Sequence, residues 1–584
     1  MRKVLLLTVM CIAFVGGVFA QFPVSGTVTS QSDGTGLPGV TVVEKGTSNG
    51  TITNADGKFD IKVASGKVTL VFSFIGMKTV EVALNDQSSV AVSLASEDIG
   101  LDEVVVTALG ISRDKKSLGY AVSEVDGESL STVKELNVVN SLAGRVAGVV
   151  ITQGTFGPGS SSRVVIRGNN SLTGNNQPLY VVDGVPVDNT GFGSSNSSDT
   201  GEYSKSDYGS GISDLNSEDV ESVSVLKGPN AAALYGSRAA NGVILVTTKK
   251  GKLNQGLGVS YTGNYTFETP MLLPEFQNVY GQGTQGNTSG DLGELRNSGG
   301  SWGAKMDGSQ KLYWNGETRA FAPQEDNVKN FFETGSTFIH TVALEGGDQK
   351  ASVRFSYTNT SADAIVPGTK LSRHNFNLRT TYNFTEKLSF DAKVTYFLQD
   401  GQNRPMMGTE GVMAYLYPIP RNTVISDLED YQNPADYKVK TYSNGSVGNP
   451  YWFMLHDINN DSRTRFQGFA KANYTFTDEL SAFVRVGTDM ISEKIETVKQ
   501  YGHWFYGGGR LNNSMTKLSE TNIDALIMYK KTLNDKISFD INAGANHMYS
   551  TYEGMSIFAQ NFKIPTKPTL ESAASNSPGY TPLR

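Results

Sequence analysis

The stretch EDVESVSVLKGPNAAALYGSRAANGVILVTTKKGK, residues 218–252, decides the fold of this chain. Glu221–Leu226 and Gly242–Thr248 are rich in β-branched side chains, which predicts two short buried strands. Gly228–Pro229 interrupts the first strand, and Ala231–Tyr235 favours one or two helical turns that the next glycine would end. Small residues crowd the unit and its side chains form no catalytic pattern. We therefore expect it to pack tightly inside a larger structure.

This stretch resembles the plug domain of SusC/RagA-type TonB-linked outer-membrane transporters, which carry a similar run of VLKGP, AAALYGSRAANGV and TTKKG. Two earlier phrases, SLAGRVAGVVITQ and SRVVIRGNNSLTGNNQPLYVVDGVPVDN, resemble the same domain. The resemblance implies a plug domain over residues 119–252, and an ordinary βαβ fragment of a soluble domain is the alternative. The residues that carry the plug motif are Lys227, Gly228, Pro229, Tyr235, Gly236, Arg238, Asn241 and Gly242.

The N-terminus has the features of a secretory signal peptide over residues 1–20. Arg2 and Lys3 precede an apolar run, Val4–Val15, that is short for a membrane span, and a small-residue cleavage site follows. The single cysteine, Cys11, lies inside this segment. The mature chain would therefore have no disulfide and no thiolate metal ligand.

The composition favours a transmembrane β-barrel. Hydrophobic residues make up only 38% of the chain, yet aromatic residues reach 10%. Alternating lipid-facing and lumen-facing residues give a barrel such a polar average, and aromatic girdles mark its two membrane interfaces. Beyond the signal peptide, no apolar stretch is long enough to predict a transmembrane helix. The formal net charge of −7 argues against a nucleic-acid partner.

A small β-sandwich is predicted over residues 21–95, because short alternating strands are separated by turn residues. The segments LPGVTVVEKGTSNGTITNADGKFDI and SFIGMKT resemble the carboxypeptidase-regulatory-like extension often found at the front of this transporter family. A generic immunoglobulin-like spacer would give nearly the same fold. The predicted strands are Val24–Val28, Thr41–Glu44, Phe59–Val63, Val68–Phe74 and Thr79–Leu84.

Residues 96–118 are predicted to be a linker with one strand-forming island, LDEVVVTAL, at 101–109. An extended apolar peptide of this kind can add a strand to the edge of a partner's sheet through main-chain hydrogen bonds. The island resembles the TonB box of the family and lies just before the predicted plug; a core strand is the alternative. The box residues are Leu101, Asp102, Glu103, Val104, Val105, Val106 and Thr107.

From residue 253 onward, segments of about ten residues alternate polar and apolar side chains, with short turns at one end and long loops at the other. This pattern is typical of an outer-membrane barrel, and the uneven loops disfavour a β-propeller. A plugged barrel needs ~22 strands, more than residues 253–584 can supply, so we expect the N-terminal portion of a longer chain. The predicted strands are Leu257–Phe267, Phe338–Glu345, Ala351–Asn359, His374–Asn383, Leu388–Leu398, Arg465–Phe476, Leu480–Asp489, Ile523–Tyr529 and Ile537–Tyr549; the predicted long loops are 268–336, 399–464 and 490–519.

Two groups of side chains are candidates for function. Tryptophans in the predicted long loops would suit sugar rings, with loop packing or an interface girdle as the alternative: Trp302, Trp314, Trp452 and Trp504. Arginines of the predicted plug would need carboxylate partners in a barrel lumen, and we expect some of them to pair with barrel Asp or Glu and hold the plug closed. These arginines are Arg145, Arg163, Arg167 and Arg238.

Other patterns carry no enzymatic prediction. The GxGxxG match at 281–286 lies in polar loop sequence rather than between a strand and a helix, so no nucleotide cofactor is expected. The five histidines are scattered, so no metal site is expected either. The acidic segment 214–219 lacks the central glycine of an EF-hand loop, and we interpret it as a solvated turn.

Taken with the resemblance, the sequence implies a mainly β protein with a transthyretin-like sandwich, an α+β plug and part of a large transmembrane antiparallel barrel. The resemblance implies TonB-dependent import of an oligomeric nutrient across the outer membrane, a glycan first and a peptide as the alternative. The implied partners are TonB, a SusD-like surface lipoprotein and the lipid bilayer. A secreted β-rich adhesin is the alternative from another class.

Overall fold

The structure, a computed structural model, describes residues 22–31, 33–47, 49–74, 77–95, 104–106, 112–114, 122–132, 134–154, 157–172, 174–189, 191, 204–228, 235–408, 410–444, 447–534 and 537–583. The chain divides into two compact units. The first contains Met1–Val104 with Asp114–Lys116, and the second contains Val105–Arg113 with Ser117–Arg584. The predicted signal peptide lies outside the described residues.

The first unit contains a sandwich of a three-stranded and a four-stranded sheet around one apolar core. Its sheets run β4-β1-β7 and β3-β2-β5-β6, with β1 and β7 parallel. Alternate residues of Lys58–Val63 and Ser89–Leu94 are buried, which confirms the predicted sandwich. The strands are β1 (Phe22–Ser30), β2 (Thr41–Glu44), β3 (Gly50–Ile52), β4 (Lys58–Val63), β5 (Thr69–Ser73), β6 (Val80–Ala83) and β7 (Ser89–Leu94).

The plug region of the second unit is built on a five-stranded mixed sheet in the order β10-β16-β17-β13-β14. The strands before it, β8 (Val104–Val106) and β9 (Ser112–Asp114), form a separate two-stranded sheet. The plug strands are β10 (Val122–Asp126), β11 (Val149–Thr152), β12 (Arg163–Ile166), β13 (Leu179–Val182), β14 (Val185–Val187), β15 (Ser204–Lys205), β16 (Val220–Leu226) and β17 (Val243–Thr248). The two strands predicted around the plug motif are confirmed as β16 and β17, which pair antiparallel.

The helical turns predicted between β16 and β17 lie mostly outside the described residues. Tyr235 is helical, and Gly236 has a φ of +68°, the conformation expected of a glycine that ends a helix. A 3₁₀ helix, Gly236–Ala239, follows directly and was not predicted. The other helical turns of the plug are Gly127–Thr132, Val138–Leu142, Gly211–Asp214 and Ser217–Asp219.

The remaining part of the second unit is a ten-stranded sheet in which chain neighbours pair antiparallel; we call it the wall. Its strands are β18 (Gln255–Glu268), β21 (Gly335–Gly347), β22 (Ala351–Asp363), β23 (Lys370–Asn383), β24 (Leu388–Gln402), β26 (Ile458–Thr475), β27 (Leu480–Lys499), β28 (Arg510–Asn534), β29 (Ile537–Phe562) and β30 (Ala573–Leu583). Short strands in its loops are β19 (Gln310–Leu312), β20 (Thr318–Ala320) and β25 (Met407–Gly408), and short helices are Leu292–Asn297, Asn327–Phe331, Val412–Leu416, Ile425–Leu428 and Trp452–His456.

The wall has the reverse polarity of a soluble sheet. In β22, the polar residues Ser352, Arg354 and Ser356 are buried, whereas Val353 and Phe355 between them are exposed. Alternate residues of a strand point to opposite faces, so β22 turns polar residues to a covered face and apolar residues to an exposed one, whereas β18 and β29 are mostly exposed on both faces. This arrangement matches a barrel wall whose polar face lines the lumen. Among the described residues, no helix is both long and apolar enough to cross a membrane.

Nine wall strands were predicted and ten are present, because Ala573–Leu583 forms a further strand. The prediction of a long loop over 490–519 is wrong: β27 continues to Lys499 and β28 begins at Arg510. The added residues are mainly polar, since hydrogen-bonded pairing continues beyond the part of the strand where apolar residues alternate. Hydrophobic alternation therefore located the strands but underestimated their length.

An Asp-Gly pair favours a tight turn in the sequence, and the hairpin β13–β14 turns through Asp183 and Gly184, with φ values of +51° and +83°. Positive φ at both central residues is typical of the type I′ turn that joins tight hairpins. A Cβ on Gly184 would lie 1.9 Å from Nη1 of Arg485, whose guanidinium is held 2.7 Å from Asp524. The turn therefore needs glycine for its conformation and also for its contact with the wall.

We predict that Gly184→Ala destabilises the protein more than Gly168→Ala. Both glycines have positive φ, but a Cβ on Gly168 would meet nothing within 4 Å. The shared conformational strain is about 1–2 kcal/mol, and only Gly184→Ala must also displace Arg485. Thermal unfolding of the purified full-length protein in detergent measures the difference. Equal melting temperatures for the two variants would contradict a close contact between this turn and the wall.

Candidate functional site

The candidate site is the interface between the plug and the polar face of the wall. Asp183 accepts from Nη1 of Arg379 and from Nζ of Lys393, at 3.0 Å each. The backbone N–H and the hydroxyl of Thr248 donate to the same carboxylate at 3.0 and 2.8 Å. Burial alone would raise the pKa of Asp183, but the two cations and the Thr248 hydrogen bonds hold it well below its usual range. Asp183 is therefore a buried anion that wall cations stabilise.

Asp214 of the plug bridges two neighbouring lumen-facing arginines of β26. Its two oxygens lie 2.8 Å from Nη1 of Arg463 and 3.0 Å from Nη1 of Arg465. Each arginine has a second carboxylate on the adjacent strand, with Arg463 2.5 Å from Glu493 and Arg465 2.8 Å from Asp489. All five side chains are buried. Each guanidinium is thus shared between a plug acid and a wall acid.

A third contact joins the plug to β22. Asp219 accepts from Nη1 of Arg354 and from the hydroxyl of Ser356, both at 2.6 Å. Asn216 donates to the hydroxyl of Thr358 at 2.7 Å. The interpretation of segment 214–219 as a solvated turn is therefore wrong. The segment includes the end of one 3₁₀ turn, Gly211–Asp214, and all of a second, Ser217–Asp219, and it buries Asp214 and Asp219 against wall cations.

The predicted plug arginines account for little of this interface. Arg238 does pair with the wall, donating to both oxygens of Glu520 at 3.0 and 3.1 Å, but its side chain is 36% exposed. Arg145 donates to the carbonyl of Ser129, and Arg163 donates to Asn169, so both bonds stay inside the plug. Ion pairs between the plug and the wall are present, but most of them have the charges on the opposite sides from those predicted. Most of the anions belong to the plug and most of the cations to the wall.

Strand parity explains why the cations converge on the plug. Arg463 and Arg465 are two residues apart on β26, so both point to the polar face of the wall. Arg373 and Arg379 are six residues apart on β23, an even spacing that places them on one face. The sequence prediction began β26 at Arg465 and assigned no role to these arginines. The same alternation rule, applied to the polar positions, would have found them.

Other plug-motif residues make hydrogen bonds within the plug. Lys227 donates to the hydroxyl of Ser123 at 2.7 Å, and Asn241 donates to the carbonyl of Asn175 at 2.7 Å. Gly228 and Gly242 have φ values of +105° and +93°. Burial, followed by the nearby charge of Arg167, lowers the pKa of Lys227. Pro229 lies outside the described residues.

The predicted TonB box is described only in part. Val104–Val106 forms β8, and β8 pairs with β9. Leu101, Asp102, Glu103 and Thr107 lie outside the described residues. The strand that was expected to pair with a partner is therefore extended over its described part, and a short strand of this chain covers one of its edges.

The four tryptophans are in different environments. Trp302 is 65% exposed, whereas Trp452 is fully buried and its Nε1 donates to Asp457. Trp314 is buried in an apolar cluster of the long loops. Trp504 is partly buried and stacks beside His503. Loop packing, the alternative stated above, therefore accounts for Trp314 and Trp452.

Comparison with known proteins agrees with this architecture. The model of the TonB-dependent Receptor Plug Domain matches residues 114–243, and that of the CarboxypepD_reg-like domain matches residues 24–106. TonB-dependent receptor SusC of Bacteroides thetaiotaomicron is 32% identical over 461 residues, which cover 77% of this chain and 41% of SusC. Over most of its length, this chain is a relative of the SusC-like TonB-dependent receptors. Its relatives are receptors rather than enzymes, in agreement with the expectation that it has no enzymatic activity.

A second relative supports the same family, and a solved structure is similar in fold. TonB-dependent receptor P39 of Formosa agariphila is 30% identical over 395 residues, covering 67% of this chain and 34% of that protein. The RagAB peptide importer in its open-open state is similar in fold, with a TM-score of 0.57 at 20% identity, over 82% of this chain and 53% of that chain. The chain thus spans about a third to two fifths of the curated relatives' length.

We predict that Asp214→Asn strongly destabilises the protein, because it leaves two buried arginines without their plug anion. Breaking a buried ion pair from one side costs about 3–5 kcal/mol. Asp363→Asn is the matched control, since Asp363 pairs with Lys370 at 3.0 Å and both side chains are more than half exposed. Its expected cost is below about 1 kcal/mol. Denaturant unfolding of the purified protein measures the free energy of unfolding of both variants. Equal losses of stability in the two variants would exclude a special role for the buried ion pairs.

Proposed function

We propose that this chain supplies the plug and part of the barrel wall of a TonB-driven importer of an oligomeric nutrient in the outer membrane. The observation that carries the proposal is the polar face of the wall, whose arginines bind plug carboxylates while the opposite face is apolar. A wall of this polarity suits lipid outside and a filled lumen inside. A secreted adhesin would not require a polar sheet face filled by a separate domain.

The proposed mechanism begins with solute binding on the long-loop side of the plug. TonB then adds a strand to the segment 101–109, of which Val104–Val106 is already extended. A pull on this segment reaches β10 first among the plug strands. β10 lies at the edge of the plug sheet and pairs only with β16 among the described strands. β10 can therefore separate from the plug sheet by breaking its pairing with one described strand.

The partners and location belong to the same proposal. Similarity to SusC and to the RagAB peptide importer supports TonB beneath the barrel and a SusD-like lipoprotein above it. Export by a cleaved signal peptide is expected from residues 1–20. The solute is a glycan or a peptide. Two of the four tryptophans proposed for sugar contact are buried, so exposed Trp302 is the strongest remaining candidate from that set.

We predict that Val105→Pro abolishes uptake while the protein reaches the cell surface at its normal level. Proline removes a main-chain donor that strand addition needs, whereas Val105→Thr keeps a β-branched residue and is the matched control. Growth on a single solute and surface labelling measure the two quantities. Unchanged growth of the proline variant on an imported solute would overturn the proposed TonB coupling. A comparison of growth on defined glycans with growth on defined peptides then identifies the solute class.

A further inference from the structure

A cavity of about 690 Å³ lies between the plug and the long-loop end of the wall. Its floor is formed by plug residues 134–137, 153–154 and 157–160, and its side by the ends of β18 and β21. Loop residues around Leu272 and Met413 complete it. The volume falls in the range of ~300–1,000 Å³ typical of small-molecule pockets. It therefore has room for one short segment of an oligomeric solute.

The loop side of the cavity is apolar and adaptable. Met406, Met407 and Met413 line it together with Leu272 and Phe332. Methionine side chains are flexible and polarizable, so surfaces rich in them accept ligands of varied shape. Sugar hydroxyls need directed polar partners, which this side offers sparsely. The loop side therefore favours apolar side chains of a solute, whereas Asn137, Gln153 and Asn264 place amide groups on the other sides of the cavity.

The charged residues of the cavity are Lys134, Glu135 and Glu268. Lys134 lies 2.8 Å from Glu218 in a buried ion pair inside the plug, so its charge is already balanced. In the part of the chain that the structure describes, Glu135 and Glu268 have no ion pair and no hydrogen bond through their carboxylates. Burial, and then the negative charge of Glu268, raise the pKa of Glu135. Two carboxylates thus share a cavity in which Lys134 is already paired with Glu218.

We propose that this cavity binds the ammonium group of a partly apolar solute, the N-terminus of a short apolar peptide, between Glu135 and Glu268. The apolar side chains of the peptide pack against the methionines of the loop side. A cation placed between the carboxylates relieves their mutual repulsion, which a neutral glycan cannot do. The proposal rests on the proposed import function for the side from which the solute arrives, and it names the solute class at that entry.

The test uses purified full-length protein and three probes: leucyl-leucyl-alanine amide, its N-acetylated form and maltotriose. The first carries an ammonium group, the second differs only by losing it, and the third is a neutral glycan. We expect the free-amine peptide to bind at least about tenfold more tightly than the acetylated one, equivalent to about 1.4 kcal/mol. Titration calorimetry in low-salt buffer measures the three affinities.

The variants Glu135→Gln and Glu268→Gln should remove this preference and leave the affinity for the acetylated peptide unchanged. Glu386→Gln is the matched control, because Glu386 is exposed in the short turn between β23 and β24 at the opposite end of the wall. If Glu135→Gln lowers the yield of folded protein, Glu268→Gln alone serves, since Glu268 ends a strand at the surface.

Equal binding of the two peptides would overturn the proposal, as would tight maltotriose binding that neither substitution changes. Its failure is distinguishable from failure of the import function. An amine preference with uptake that survives Val105→Pro would contradict TonB coupling alone. Uptake lost in Val105→Pro without any amine preference would contradict the cavity assignment alone.

Discussion

The plug of this protein depends on buried ion pairs whose anions lie on the plug and whose cations lie on the wall. Asp183, Asp214 and Asp219 each contact at least one wall arginine, and the side chains of all three are buried. Taking such charges out of water costs several kcal/mol for each ion. The burial of each charged side chain therefore becomes favourable only when its partners are in place. The plug is therefore stable only in the position that brings its carboxylates into contact with the cations of the wall.

The placement of anions on the plug and cations on the wall affects how the plug could move. A lumen lined with arginines remains positively charged if the plug carboxylates leave it, although wall acids such as Glu493 and Asp489 balance part of that charge. Glu493 and Asp489 keep Arg463 and Arg465 oriented, because each of these two guanidiniums donates to a plug acid and to a wall acid. The plug can then return to the same contacts. In the proposed import cycle, these ion pairs would hold the plug in place without requiring the wall to rearrange.

Local sequence predicted most strands and one decisive turn, but not the interface. The β-branched runs gave β16 and β17, and the Asp183–Gly184 pair gave the hairpin turn, because both depend on neighbouring residues. The partners of Asp214 lie 249 and 251 residues further along the chain, so no local pattern connects them. Local sequence could not predict the burial of Trp452 either, because the cluster that encloses it forms only when the loops pack together.

The most direct test of the plug–wall account is a double-mutant cycle on Asp219 and Arg354, which lie 2.6 Å apart across the interface. The free energy of unfolding is measured for Asp219→Asn, Arg354→Gln and the double variant in the purified full-length protein. The account predicts a coupling energy of about 1–3 kcal/mol, with the double variant less destabilised than the sum of the single ones. Additive losses, with a coupling energy near zero, would contradict it.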